Sequence, residues 1–262
     1  MTPFSVTLRS EWTKLASLRG TFFKLALAFV LSVGLTALLA LIVGATWDGA
    51  SPAERASHDA VGIGLFGSLF SAIVFAVLGA TAVTSEYGSG MIRLTLTATP
   101  RRGRVLAAKA AVVGGVTLVA GLVTATVTFL VAQAVFAAHG VPTASLADGD
   151  ALRTVLGDGV LTPVLPVIAV ALGFATRSTA GAVTSVLAVI FVPWILGGVL
   201  PAWWRENVLD YVPGAASEAI TSGHLDSATD GLLAPGLAAL VLAGWLALFL
   251  AAAWLALERR DA

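Results

Sequence analysis

Cysteine is absent from the 262 residues, which excludes disulfide frameworks, thiolate nucleophiles, cysteine-bound zinc and iron–sulfur clusters in one step. Charge is scarce: Asp, Glu, Lys and Arg make up 11% of the chain, where a soluble domain carries roughly a quarter. Lys plus Arg and Asp plus Glu stand at 15 each, so the chain is neither a uniformly basic nucleic-acid binder nor an acidic disordered segment. No Gly-Lys dipeptide occurs, and without a Gly-Lys-Ser/Thr phosphate loop the chain does not hydrolyse ATP through that motif. The three histidines, His58, His139 and His224, show no metal-ligand spacing and fall outside the apolar runs. Intramembrane proteolysis needs a nucleophile with a base, paired aspartates or a His-Glu-x-x-His helix. None is evident, so no enzyme is expected and no cofactor or metal is assigned to this chain.

What is abundant is apolar sequence, 58% of the residues. Six windows, 25–47, 60–85, 110–138, 159–176, 178–204 and 231–257, contain no Asp, Glu, Lys or Arg and run from 18 to 29 residues. A helix needs about 20 residues to cross a hydrocarbon layer of about 30 Å. Long continuous apolar runs, without the dyad alternation of barrel strands, predict an all-α integral membrane protein. The first run is too long for the core of a signal peptide and is expected to stay in the mature protein. One transmembrane domain is expected over 1–262, with spans at about 25–47, 60–85, 105–138, 155–176, 178–200 and 231–257. The fourth, holding Pro163 and Pro166, is the shortest window.

Six spans put both termini on one side, together with the linkers between spans two and three and between four and five. That side carries twelve Lys and Arg against four Asp and Glu, a net of +8; the other carries three against eleven, a net of −8. Cations mark the cytoplasmic face, so both termini are expected in the cytoplasm and the protein in the cell membrane. Trp47, Trp203 and Trp204 fall at outer span ends and Trp12 and Trp254 at inner ones, where indoles favour the headgroup layer. Trp194 and Trp245 sit deeper and are assigned to packing. Small residues recur every fourth position along span two, at Gly64, Ser68, Ala72, Ala76 and Ala80; such a ladder serves close helix packing, within the chain or across a dimer. An ion-coupled carrier would keep ionisable groups inside its spans at about 2.5–3.5 kcal/mol each. The spans lack them, and Asp158 is placed at an outer end.

Two inner segments are richer than connection requires. Before span one, Phe4, Leu8, Trp12, Leu15, Leu18 and Phe22 recur at steps of three and four, the pattern of an interfacial helix over about 4–20 with its cations near anionic headgroups. Glu11 and Arg19 fall inside that arc and mark where the helix meets protein. Between spans two and three, Gly88 and Gly90 interrupt the helix, Ser89 is positioned to cap a short new one, and Thr99-Pro100 has the form of N-cap and N1 of the next long helix.

With Ser10-Glu11-Trp12-Thr13-Lys14-Leu15 and Ser17-Leu18-Arg19 at its start, and Glu86-Tyr87-Gly88-Ser89-Gly90-Met91-Ile92-Arg93 with Thr99-Pro100-Arg101-Arg102 after span two, the chain resembles the permease subunits of bacterial type 2 ATP-binding-cassette (ABC) transporters. The resemblance implies an N-terminal elbow helix, with Glu11, Trp12 and Arg19 as its contacts. It implies a cytoplasmic coupling helix between spans two and three, where Glu86, Tyr87, Met91, Ile92 and Arg93 would meet an ABC ATP-binding subunit that holds ATP and Mg. It further implies a homodimer or a pairing with a paralogous permease, a substrate path along that interface, and outer re-entrant helices within 201–230. The expected function is export of a drug, lipophilic metabolite or peptide, with apolar spans favouring a lipophilic or amphiphilic cargo. The alternative is a self-sufficient facilitator, or a non-transporting scaffold or immunity protein.

Overall fold

The computed structural model describes residues 3–99, 101–221 and 233–259, and its elements are helical throughout those residues. Helix α1 (Phe4–Ser17) is separated from α2 (Arg19–Thr46) by Leu18 alone, in extended conformation. The helix that carries the first apolar run therefore starts at Arg19, and α1 ends at Ser17. A 3₁₀ turn at Trp47–Gly49 and the short α3 (Pro52–Ala56) follow. Ser51 and Glu54 start α3 with reciprocal side-chain to backbone bonds, a capping box.

Span two is broken. Asp59 caps α4 (Ala60–Gly64) by accepting the Val61 and Gly62 amides, and after residues 65–67 the chain continues as α5 (Ser68–Gly88). Apolar composition alone concealed this interruption. Its cause is close contact with α2: a Cβ on Gly67 would stand 2.0 Å from the Ser32 carbonyl oxygen, and the Gly67 amide donates to Thr36 Oγ1 at 2.8 Å. A backbone amide released from a helix inside a membrane needs such a partner.

The short α6 (Met91–Ala98) joins α5 to α7 (Arg102–Ala138). Gly90, at φ 71°, makes the turn into α6, in the left-handed region open to glycine. Ser89 instead ends α5, its hydroxyl donating to the Ser85 carbonyl at 2.8 Å. Thr99 ends α6, and Arg101 occupies the N-cap of α7 without a side-chain capping bond to the helix amides. The expected Ser89 and Thr99 caps therefore do not form, and Pro100 lies outside the described residues.

Span four is α8 (Gly149–Leu161) followed by α9 (Val164–Thr176). Pro163, with no amide hydrogen to donate, stands at their junction. Helices α10 (Thr179–Val199) and α13 (Pro235–Arg259) are the last two spans. Among the described residues, six segments are thus long and apolar enough to cross a membrane, including Gly149–Thr176 as one. Between α10 and α13 lie the short α11 (Ala202–Asn207), a 3₁₀ turn at Leu209–Tyr211, and α12 (Pro213–Thr221). The remainder of the 201–230 segment, from 222 on, lies outside the described residues.

Close packing comes from glycines outside the ladder. A Cβ on Gly79 would stand 2.2 Å from the Pro166 carbonyl oxygen, and one on Gly173 3.0 Å from Val83 Cβ, so α5 and α9 cross at van der Waals contact. The ladder itself is covered by the same chain. Gly64 faces Gln133 and Phe129 of α7, Ser68 bonds α8, and Ala76 and Ala80 pack with Ala169, Ala182 and Val186. Trp245 behaves as a packing residue, stacking on Phe249 and donating to the Tyr211 carbonyl at 2.8 Å. Trp194 does not: it is 79% exposed on α10. In a single chain that face meets lipid or a partner.

Candidate functional site

Two of the expected site residues, Glu11 and Glu86, converge on a pair of lysines. One turn apart on α1, Glu11 and Lys14 share a face; Glu86 lies in the last turn of α5, and Lys109 lies two turns into α7. Lys109 Nζ donates to Glu11 Oε2 and Glu86 Oε1, each at 2.6 Å, and to the Ala82 carbonyl at 3.0 Å. Its side chain is 3% exposed. Three donors thus meet three acceptors, the condition under which a buried ammonium is tolerated.

Lys14 Nζ completes the network. It reaches Glu11 Oε1 at 2.7 Å, Glu86 Oε1 at 3.0 Å and Thr95 Oγ1 at 3.2 Å, while Thr95 donates onward to Glu86 Oε2 at 3.2 Å. Two ammonium groups and two carboxylates cancel in charge. Burial pulls the Lys14 ammonium toward neutrality, but hydrogen bonds and attraction from Glu11 and Glu86 outweigh it and hold its pKa above the ordinary 10.5. Four helices, α1, α5, α6 and α7, meet in this cluster, and Thr95 is the contribution of α6.

Helix α6 is held from two sides. Ile92 and Leu96 are buried in an apolar cluster with Val83 of α5, Val105 and Leu106 of α7, Phe174 of α9 and Leu257 of α13. The opposite face is open: Met91 is 47% and Leu94 71% exposed, with Arg93 and Thr97 also exposed. The five residues expected to form one contact surface therefore separate. Met91 and Arg93 face outward, Ile92 and Glu86 face the bundle, and Tyr87 is half-buried with its ring edge-on to Phe174 and 5.4 Å beneath the Arg177 guanidinium. Glu86 and Ile92 hold the short helix in place; they do not present themselves to another subunit.

Helix α1 buries the middle of its apolar arc against the bundle and leaves its polar face exposed. Its buried stripe is Thr7, Glu11 and Leu15, whereas Phe4, Trp12, Leu18 and Phe22 are exposed. Glu11, inside that arc, is buried in a protein contact as expected, while Arg9, Ser10, Thr13 and Ser17 on the opposite face are exposed. Arg19 instead begins α2 on the exposed side, and Trp12 faces outward.

Lys14, Thr95 and Lys109 are the members that sequence reasoning did not place here. A usable signal existed for Lys109: it closes the charge-free run of span three just as Glu86 closes that of span two, and opposite charges at adjacent span ends are natural partners.

A second polar feature lies toward the other end of the bundle. Asp158 lies on α8, within the apolar helical segment Gly149–Thr176, and accepts a 2.7 Å hydrogen bond from Ser68 Oγ. Among the described residues no group of three or more His, Asp and Glu is arranged to hold a metal ion.

With this geometry in place, comparison with known sequences adds one finding. The family model described as ABC-2 family transporter protein matches residues 7–193, a stretch that contains most of α1, all of α6 and every member of the four-helix ion cluster. No curated protein matches the chain.

Proposed function

The chain belongs to the ABC-2 family of transporter proteins, the membrane permeases of ABC transporters, and from that premise we propose that it is the subunit through which an ATP-driven exporter of the cell membrane moves a lipophilic cargo outward. ATP and Mg belong to the ATP-binding subunit with which such a permease associates. The +8 face, with both termini and α6, is the cytoplasmic one. Two permeases, identical or paralogous, make the translocating unit, and α11 and α12 lie on the outer side as the re-entrant elements.

The single observation that carries this reading is the construction of α6. Its outward face, Met91, Arg93, Leu94 and Thr97, is a docking surface with apolar and cationic parts. Its inward face is fixed twice, by Ile92 and Leu96 in the core and by Thr95 in the ion cluster. A push on the outward face is delivered to α1, α5 and α7 together, because the cluster's short bonds tie all of them to Thr95. Apolar packing alone would let α6 slide; directional charge-assisted bonds resist that.

The test is co-purification. Leu94→Glu, at an exposed position, is expected to leave the permease folded and abolish its capture of the ATP-binding subunit. Intact capture by this variant, or cargo transport by the permease without nucleotide, would favour the self-sufficient facilitator instead.

A further inference from the structure

Beside Asp158, a cavity of about 570 Å³ opens between α5, α8, α10 and α12, within the size range of small-molecule sites. Its walls are apolar, with Leu65, Leu69 and Leu161 among them, and its charged groups are two carboxylates, Asp158 and Glu218. Glu218 stands exposed on α12. Asp158 is half-buried, and the described residues offer its carboxylate one hydrogen bond, from the uncharged Ser68 hydroxyl. No ion pair of the described residues involves Asp158; those of Glu11, Lys14, Glu86 and Lys109 lie in the cluster described above. Arg55 is engaged instead with the carbonyls of Trp47, Asp48 and Ala50.

A carboxylate within a membrane span is costly and points to a function and to a counter-charge. The cluster at the other end of the bundle shows how this chain treats such groups when they are structural: every carboxylate there has an ammonium partner. Asp158 has a cavity in that place. We propose that the cavity binds an amphiphilic organic monocation, its charged end at the Asp158 carboxylate and its apolar body against the leucine walls, with Glu218 drawing cations toward the mouth. This cation is the cargo class only if the permease reading holds; the binding itself requires neither ATP nor the partner subunit.

The experiment measures equilibrium binding of radiolabelled tetraphenylphosphonium to the purified full-length permease in lipid nanodiscs, with triphenylphosphine oxide as an uncharged competitor of similar bulk. Saturable binding is expected, with no displacement by the oxide. Asp158→Asn should weaken it about tenfold or more, about 1.4 kcal/mol, Asp158→Glu should retain most of it, and Glu218→Gln should reduce it less. No saturable binding to the wild-type protein, equal competition by the oxide, or unchanged affinity in a folded Asp158→Asn variant would each overturn the proposal. The competition needs only wild-type protein, so it decides the matter even if Asp158→Asn does not fold. Capture of the ATP-binding subunit by the same preparations reports on the permease reading separately.

Discussion

Replacing Lys109 with methionine removes the most deeply buried charge while nearly keeping its length. In the native cluster Lys109 neutralises Glu11 and Glu86 at 2.6 Å each and satisfies the Ala82 carbonyl. After the change, two carboxylates, 4% and 8% exposed, share Lys14 alone, and the cluster carries a net charge of −1. Removing one partner of a buried pair typically destabilises by about 3–5 kcal/mol, most of it the cost of the stranded charge. For a chain of this size each kcal/mol corresponds to roughly 2–4 °C, so the midpoint of thermal unfolding should fall by about 10 °C. Adding Glu86→Gln removes the stranded charge as well and leaves the Glu11–Lys14 pair, so the double variant should recover a large part of the loss. Thermal unfolding of purified protein followed by circular dichroism supplies the four corners of this cycle. If Lys109→Met melts with the wild type, or if Glu86→Gln worsens it additively, the four-charge cluster does not hold the helices as described.

Other consequences are open to simpler checks. The raised pKa of Lys14 means that its stabilising contribution is complete below the unfolded value near 10.5 and is lost as pH rises through the higher folded value; unfolding at increasing alkaline pH should show that loss in the wild type and lack it in Lys14→Met. Gly79→Ala should destabilise by about 1–3 kcal/mol, because its Cβ meets the Pro166 backbone at 2.2 Å, whereas Gly115→Ala, with nothing within 4 Å, should be neutral or slightly stabilising in the same assay. Within α6, Ile92→Ala should cost about 2–5 kcal/mol as a buried truncation while Leu94→Ala leaves unfolding unchanged, separating the inward face from the outward one. A chain without cysteine is already a clean background for single-cysteine labelling: Ala98→Cys should react with an impermeant maleimide only in inverted vesicles, and Ala53→Cys only in intact cells.

Span number was legible because a charge-free run of some twenty residues has few other physical meanings, and the windows survive in all six spans. The breaks inside spans two and four were less so. Pro163 signalled one, but the other depends on Gly67 meeting Ser32 and Thr36 of a different helix, which no local pattern encodes. The small-residue ladder was ambiguous because alanine and glycine pervade the chain; the crossing of α5 and α9 is made by Gly79 and Gly173. On α1, periodicity located the helix correctly, and the middle of its apolar arc, with Glu11 in it, is the stripe that packs against the bundle. The candidate site divided along the same line. Its segments were visible as excess polar sequence, but the pairing of residues 11, 86 and 109 depends on three helices meeting, and that of Asp158 with Ser68 on two.

The claim that α6 passes force to the bundle through the ion cluster is tested most directly at Thr95. Thr95→Val keeps the branched shape and the apolar seat of Ile92 and Leu96, and removes the bonds to Lys14 and Glu86. The measurement is permease-dependent ATP hydrolysis by the reconstituted complex of this chain with its ATP-binding subunit. The variant complex should assemble normally and hydrolyse ATP several-fold more slowly than the wild-type complex; assembly with an unchanged rate would show that the cluster takes no part in coupling.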